Sequence, residues 1–279
     1  MDNRLLPPQR IAIMIDGGFF IKRFNYLYNS KRKMTGSQVA DMMYTMALRH
    51  LRDNDVLYRI FYYDCEPLSK KMHNPITKKC IDYSKSEQFA FRQELLEALK
   101  IKRKVALRIG TLKTTSNWTI KQSATERLLK KEITIDDLTE DDVSPEIRQK
   151  GIDMKIGVDI ASLSLKRFVD KIILISGDSD FVPAAKMARR EGIDFILNPM
   201  KANVERQLNE HVDGMECFDP YPTKKVSRPR TIQKAAKKTR KKVVKWYSQI
   251  LASPSIPHIN PQNFADFFLW NVWPFLNLL

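Results

Sequence analysis

Cysteine is scarce in this 279-residue sequence, and its three copies favour neither disulfides nor zinc. Cys65, Cys80 and Cys217 form no CxxC pair, and their odd number argues against a disulfide framework. A zinc site built on Cys65, His73 and Cys80 would lack a fourth ligand. We therefore predict three free thiols in a reducing, cytoplasmic environment.

Long apolar runs and several well-known enzyme motifs are missing as well. Residues 1–10 contain no apolar core of a signal peptide. The apolar stretch 264–279 has 16 residues and is interrupted by Asp266 and Pro274, whereas a spanning helix needs about 20. We expect neither a secretion signal nor a membrane anchor. The sequence also lacks a P-loop, a GxGxxG fingerprint and a Ser-His-Asp arrangement, which disfavours nucleotide binding and acyl transfer.

Acidic residues are almost absent from the end of the chain. The whole sequence carries 48 Lys and Arg against 32 Asp and Glu, a formal charge of +16, yet residues after position 220 account for +10 of it. This imbalance suits a polyanion such as nucleic acid. The composition changes near Pro220 and Pro222, so we predict a body at 8–220 and a basic, aromatic-rich extension at 221–279.

The extension has two parts. Residues 232–246 can form a helix with a basic face that contacts phosphates without reading sequence, or else a solvated tail or a docking segment for an acidic protein. The predicted nucleic-acid contacts there are Lys237, Lys238, Arg240, Lys241 and Lys242. The aromatic residues between 264 and 275 would pack on the body, join the basic helix in a small subdomain, or dock a partner or a second copy.

The body alternates between strand and helix patterns. The chain is 43% hydrophobic, which is enough for a sizeable core. Apolar, β-branched runs at 10–15, 56–63, 104–109, 171–176 and 193–197 are typical of strands buried on both faces of a parallel sheet. Helical patterns lie between them, so we predict a three-layer α/β/α sandwich. Residues 111–150 form a polar insert that we place in a lobe on the rim.

Carboxylates follow these predicted strands. Asp16 ends the first strand, and Asp178 and Asp180 follow the fourth. In an open parallel sheet, ligands bind beyond the carboxyl ends of the strands, so these acids would meet there. Grouped carboxylates repel one another unless a cation neutralises them. Hard oxygen ligands without nearby His or Cys favour Mg²⁺ or Mn²⁺ over zinc.

The helix before the fourth predicted strand adds Asp153 and Asp159. Residues six apart are turned by about 120° on a helix, so the two cannot both face the site. Either Asp153 is an N-cap that reaches over the sheet edge, or only one of them is a ligand. Asp180 can cap the following helix, bind the cation, or do both. Asp64, after the second predicted strand, is expected to be structural.

Taken together, three segments resemble the motifs of NYN-domain proteins, the LabA-like branch of the PIN-like nucleases. These are DGGFF at 16–20, KGID at 150–153 with GVD at 157–159, and SGDSDF at 176–181. Tyr62-Tyr63-Asp64 and Arg108-Ile109-Gly110 are similar too, and the resemblance covers roughly residues 8–220. The chain departs from it at Phe19, where many relatives carry Asn.

The resemblance implies a Rossmann-like PIN fold and a metal-dependent endoribonuclease. By position, Asp16, Asp153 and Asp178 would bind Mg²⁺ or Mn²⁺, Asp180 would bind metal or orient water, and Asp159 is an alternative ligand from the helix. Ser176 would support the loop by hydrogen bonding. Lys150 and Lys155 would hold the RNA backbone beside the site.

Two other function classes stay open. The same fold could serve as a catalytically silent module that binds RNA or recruits a complex. A phosphatase of the haloacid-dehalogenase type would need an Asp two residues after Asp16, where this chain has Gly18. Single-stranded DNA is not distinguished from RNA, because only contacts to the 2′-OH would separate them.

Overall fold

A computed structural model describes residues 7–29 and 33–219 of the chain. Its strands are β1 (Arg10–Asp16), β2 (Val56–Cys65), β3 (Lys71–His73), β4 (Cys80–Asp82), β5 (Val105–Ile120), β6 (Val143–Lys150), β7 (Lys171–Ile175), β8 (Asp194–Asn198) and β9 (Gly214–Met215). Its helices are α1 (Gly17–Phe24), α2 (Gly36–Leu48), α3 (Glu87–Lys100), α4 (Gln122–Leu129), α5 (Ile152–Leu165), α6 (Val182–Arg190) and α7 (Arg206–Asn209). The predictions for 221–279 lie outside the described residues.

Seven of the strands form one sheet, in the order β6-β5-β2-β1-β7-β8-β9. Every neighbouring pair is parallel except β5 and β6, which are antiparallel. The five predicted strands are β1, β2, β5, β7 and β8. Strand order reverses at β1, because the chain proceeds from β1 to β2 on one side and later places β7 on the other. This reversal is the place where open α/β sheets bind ligands.

Helices cover both faces of the sheet, as predicted for an α/β/α sandwich. Alternate residues of β1 explain this, since Ile11, Ile13 and Ile15 point to one face and Ala12 and Met14 to the other, all fully buried. The first face packs against α1, α2 and α3, and the second against α5 and α6. Burial on both faces is the reason that these strands are apolar almost throughout.

The polar insert at 111–150 extends the main sheet instead of forming a separate lobe. β5 continues for 16 residues, first beside β2 and then, from Thr111, antiparallel to β6. Its predicted end at Ile109 is therefore wrong, because cross-strand pairing with β6 extends a segment whose own composition is polar. We call residues 111–150 the arm: two antiparallel strands with α4 between them. The arm ends at Lys150, immediately before α5, so its base adjoins the candidate site.

A tight turn joins β1 to α1, an element that the sequence pattern did not predict. A Cβ at Gly17 would lie 2.7 Å from the Tyr62 ring and from the Tyr63 carbonyl oxygen, so only glycine lets the chain pass here. Two glycines give a helix start of low intrinsic propensity, and packing of Phe20 and Phe24 in the core compensates for it. Across the described ranges, no helix is long and apolar enough to cross a membrane.

Candidate active site

Asp16 lies at the carboxyl end of β1 and caps α1. Its Oδ1 accepts a hydrogen bond from the Phe19 backbone N–H at 3.1 Å, and its Oδ2 accepts one from the Ser176 hydroxyl at 3.3 Å. Two donors from different segments therefore hold the carboxylate in one orientation. Because Asp16 accepts from a free N–H group in the first turn of α1, no side chain within the helix is needed to satisfy that group.

The loop after β7 brings two further carboxylates to the same sheet edge, since β1 and β7 are paired neighbours. Fully buried Ser176 accepts a hydrogen bond from the Asp178 backbone N–H at 3.4 Å, the kind of loop contact predicted for it, and it also donates to Asp16, which links the two motifs. Asp178 Oδ1 accepts from the Asp180 N–H at 2.9 Å and caps the short 3-10 turn Ser179–Phe181. Of the alternatives for Asp180, the capping role is not found, because α6 begins at Val182 with Phe181 at its N-cap position and no described side chain caps it.

Asp153 reaches the site from the first turn of α5. Gly151, in the left-handed region at φ 83°, occupies the N-cap position and turns the chain from β6 into the helix. Asp153 is thus the second helical residue and not the N-cap that one alternative required. A carboxylate there is also favoured by the positive end of the helix dipole.

Electrostatics link these carboxylates. Burial is the main cause that raises the pKa of Asp16 above its ordinary value, and the nearby charges of Asp153 and Asp64 raise it further. The pKa of Asp153, whose side chain stays exposed, is raised by partial desolvation and then by the charges of Asp178 and Asp180. Within the described ranges, no Lys or Arg forms an ion pair with Asp16, Asp153, Asp178 or Asp180, whereas Asp64 is paired with Arg92. These four carboxylates therefore form an acidic cluster that no described Lys or Arg neutralises.

The carboxylate oxygens are chemically suited to a hard divalent cation, but the side chains are not spaced to bind one together. No group of three or more His, Cys, Asp or Glu side chains in the described part of the chain is spaced to hold a metal ion. Asp153 and Asp180 accept no side-chain hydrogen bond from a described residue and are exposed, so they are free to turn inward. Carboxylate oxygens are the ligands that Mg²⁺ and Mn²⁺ prefer.

Asp159 lies elsewhere. Its Oδ2 accepts hydrogen bonds from the Arg108 guanidinium and from the Tyr63 hydroxyl, both at 2.9 Å. The structure thus separates the two helix acids as their spacing requires, with Asp153 among carboxylates and Asp159 in an ion pair. Asp159 joins α5 to β5 and β2 through these two hydrogen bonds.

Asp64 is structural, in line with the expectation for it. Its side chain is 1% exposed, and the Arg92 guanidinium contacts its two oxygens at 2.7 and 2.8 Å. The Tyr62 hydroxyl donates a third hydrogen bond at 3.1 Å. Sequence reasoning missed Arg92, because it lies on α3, 28 residues from its partner, and no local pattern marks it.

The predicted phosphate contacts are divided between two regions. Lys150 is exposed at the end of the arm and has no ion pair with a described residue. The Lys155 ammonium donates a hydrogen bond to the Ile109 carbonyl oxygen at 2.8 Å, which fastens α5 to β5. Lys237, Lys238, Arg240, Lys241 and Lys242 lie outside the described residues.

Phe19 occupies the place where relatives of the resemblance carry Asn. A Cβ at Gly177 would meet its ring at 2.8 Å, so the ring packs directly on the loop that carries Asp178. An apolar ring here supports the loop by contact and supplies no polar group to the site.

Comparison with known proteins identifies the family. The NYN domain matches residues 62–214, which includes Asp153, Asp159, Asp178 and Asp180 but begins after Asp16. No curated protein matches the chain.

Two solved structures show weak likeness. A protein of unknown function from Vibrio parahaemolyticus is 13% identical, covers 76% of this chain and 94% of its own, and has a TM-score of 0.38. A Sir2 variant solved with a deacetylated p53 peptide and 3′-O-acetyl ADP ribose is 9% identical, covers 76% and 89%, and has a TM-score of 0.29. At these TM-scores, neither likeness bears on the function of this chain.

The NYN match spans more than half of the chain and includes Asp153, Asp178 and Asp180 of the carboxylates just described. NYN domains form part of the PIN-like nuclease superfamily, whose members usually use divalent metals, and they typically act on RNA. The chain belongs to the NYN domain family.

Proposed function

We propose that this chain is a metal-dependent endoribonuclease that hydrolyses RNA phosphodiester bonds at the carboxylates beyond β1 and β7. The observation that carries the proposal is geometric: Asp16 and the loop bearing Asp178 meet at the carboxyl edge of the paired strands β1 and β7, and the Ser176 hydroxyl joins them. The pKa of Asp16, raised by burial and by neighbouring carboxylates, is in keeping with it. Such a cluster is unfavourable by itself and becomes favourable when a cation binds. Asp16, Asp153 and Asp178 would hold Mg²⁺ or Mn²⁺.

A divalent cation bound there would supply an activated water and neutralise charge on the scissile phosphate. The other contributions to catalysis would come from groups of the protein itself. Ser176 and the Phe19 N–H keep Asp16 in place, so its carboxylate needs little reorganisation. Asp180, exposed on the adjacent turn, would accept a proton from the attacking water. Lys150 would contact the RNA backbone, with the basic residues at 237–242 contributing affinity from a distance.

Two finer assignments belong to the same proposal. We place the chain in the LabA-like branch on the SGDSDF segment at 176–181 and its partners at 16–20 and 150–159. We also propose a cytoplasmic protein, on the ground that Cys65, Cys80 and Cys217 are all free thiols. A protein partner or self-association through residues 264–279 remains a prediction.

A second candidate is a catalytically silent module that binds RNA on the same fold. It is favoured by the spacing of the acidic groups, none of which is gathered into a three-ligand set in the described residues. Phe19 supports it as well, because an apolar ring replaces a polar side chain beside Asp16. Cleavage assays separate the two candidates.

The test is cleavage of labelled single-stranded RNA, structured RNA and matching DNA in Mn²⁺, in Mg²⁺ and in EDTA. We expect RNA to be cut only with metal, and Asp16→Asn and Asp178→Asn each to lower the rate by about 100-fold or more, since partners of metal ligands alone cost about 10–100-fold. Intact RNA with binding that survives EDTA would favour the silent module. Preferential cutting of DNA would show that the proposed substrate is wrong, while the proposed catalytic residues would stand.

A further inference from the structure

A cavity of about 240 Å³ opens beside the candidate active site. It lies between the end of β2, the start of α3 and the base of the arm. Its lining consists of Cys65, Glu66, Pro67, Leu68, Tyr83, Ser86, Gln88, Phe89, Arg92, Leu112, Ile147 and Gln149. The volume is below the range of about 300–1,000 Å³ for drug-sized ligand pockets, so the cavity suits one small planar group.

Gln149 connects this cavity to the carboxylates. A Cβ on Gly18 would lie 3.5 Å from Asp16 Oδ1 and 3.6 to 3.8 Å from the two amide atoms of Gln149. The carboxylate and the amide therefore both lie within 4 Å of the same point beside Gly18. Since Gln149 also lines the cavity, a group bound there would lie next to the phosphate that the carboxylates act on.

The charges around the cavity favour a neutral occupant. The Arg92 guanidinium is already paired with Asp64, and burial is the main cause that raises the pKa of the Cys65 thiol, which keeps it neutral. The remaining charged residue of the lining is Glu66, whose carboxylate would repel a phosphate. A phosphate or another anion is thus disfavoured inside the cavity.

Its walls combine aromatic surface with hydrogen-bonding capacity. Tyr83 and Phe89 are half-buried, and Ser86 fixes the start of α3 by accepting from the Phe89 N–H at 3.1 Å and donating to the Tyr83 carbonyl oxygen at 2.7 Å. The Gln149 amide is exposed and offers both donors and an acceptor. Aromatic faces with an amide at the rim are what an unpaired nucleobase requires.

We propose that this cavity binds one unpaired nucleobase of the RNA, adjacent to the scissile phosphate, and so restricts the substrate to single-stranded segments and loops. The inference rests on the proposed nuclease site and goes beyond it, because it names a second binding site and a substrate class. A base held in a duplex cannot enter the cavity without leaving its stack.

Binding of short RNAs in which each nucleotide in turn is abasic tests the proposal. The full chain carries Asp178→Asn so that RNA stays intact in Mg²⁺. We expect one position at which loss of the base weakens binding about 10-fold, in keeping with the strength of base–aromatic stacking. Phe89→Ala should weaken binding of intact RNA by a similar factor and abolish the difference between intact and abasic RNA.

Phe168→Ala is the matched control, since this half-exposed phenylalanine lies outside the cavity, after α5, and should leave the abasic profile unchanged. Gln149→Ala, an exposed and structurally mild change, should alter the preference among the four bases at that position. A thermal unfolding curve confirms that each variant is folded.

The outcomes separate this proposal from the nuclease proposal. If RNA is cleaved with metal but Phe89→Ala and Gln149→Ala leave the abasic profile and the base preference unchanged, the base site is wrong and the nuclease stands. If the position-specific effect is present and wild type cuts nothing, the base site stands and the nuclease is wrong. Equal binding of duplex and single-stranded RNA would overturn the substrate class.

Discussion

Two carboxylates at the same sheet edge are treated in opposite ways by the fold. β1 and β2 are neighbours, with Asp16 in register with Tyr63, so Asp16 and Asp64 lie near the carboxyl ends of adjacent strands. Asp64 is buried and receives the Arg92 guanidinium on both oxygens. Asp16 receives a hydroxyl and a backbone N–H but no cation from the described residues. A neutralised carboxylate supports the structure, whereas one left with its charge beside other acids indicates a cation site.

The largest expected effect comes from removing the cation that neutralises Asp64. Arg92→Met would leave a carboxylate with 1% side-chain exposure unpaired, and breaking such a pair costs about 3–5 kcal/mol of unfolding free energy. Urea unfolding followed by circular dichroism measures it. The double variant Asp64→Asn/Arg92→Met should recover most of the loss, because no buried charge remains. A cost below about 1 kcal/mol for the single variant would show that Asp64 does not depend on Arg92.

The two acids of α5 offer a matched pair on one helix. Asp153→Asn is expected to lower metal-dependent RNA cleavage by about 100-fold, the same order as loss of a metal-site partner. Asp159→Asn removes a partly exposed ion pair with Arg108, worth about 0–1 kcal/mol, and should change the rate by less than about 5-fold. Initial rates of RNA cleavage at saturating Mn²⁺, measured for both variants and wild type, test this ranking. The reverse ranking would make Asp159 the helix ligand.

Metal binding itself should stabilise the folded chain in a way that depends on Asp16. A cation that binds only the native state adds about 2.7 kcal/mol at 100 times its dissociation constant. Thermal unfolding with and without Mn²⁺ should show a clear rise for wild type and a much smaller one for Asp16→Asn. Ca²⁺ provides a second ion for comparison. An equal shift in both proteins would place the bound metal away from Asp16.

The smallest effect is a dependence of stability on pH. Because the folded state raises the pKa of Asp16, the folded protein holds its proton to higher pH than the unfolded chain, so stability from this group falls as pH rises through the raised pKa. Asp16→Asn keeps a side chain that caps α1 and removes the charge. Without metal, the variant should match wild type in acid and melt higher at neutral pH. A variant less stable than wild type at neutral pH would contradict this.

Much of the candidate site could be predicted from the sequence, because the positions of its residues depend on the strand or helix next to them in the chain. Each core strand is apolar throughout, since both of its faces are buried, and an aspartate directly after such a strand must lie at the carboxyl edge of the sheet. The positions of Asp16 and Asp178 needed no more than that. The angular argument along α5 likewise separated Asp153 from Asp159 before any side chain was placed.

The missed features depend on contacts between distant segments. α1 begins with two glycines and owes its existence to core packing, which intrinsic propensity does not encode. β6 is polar, and pairing with β5 makes it a strand. Arg92 and Gln149 reach their places only when α3 and the arm assemble around the end of β2. Residues of this kind carry no local signal, and they line the cavity that extends the site.

The exposed end of the arm bears on where this sequence can tolerate change. Its two strands join the body beside Gly110 and at Lys150, and Leu112 packs on the core, while α4 and the acidic turns at 135–142 lie at the far end, where Glu140 approaches the Lys79 ammonium at 4.0 Å. Exposed tips of this sort accept insertions and replacements more readily than any buried element. Sequence inserted there would leave the carboxylates of the candidate site in place, so we expect the tip of the arm to tolerate insertion.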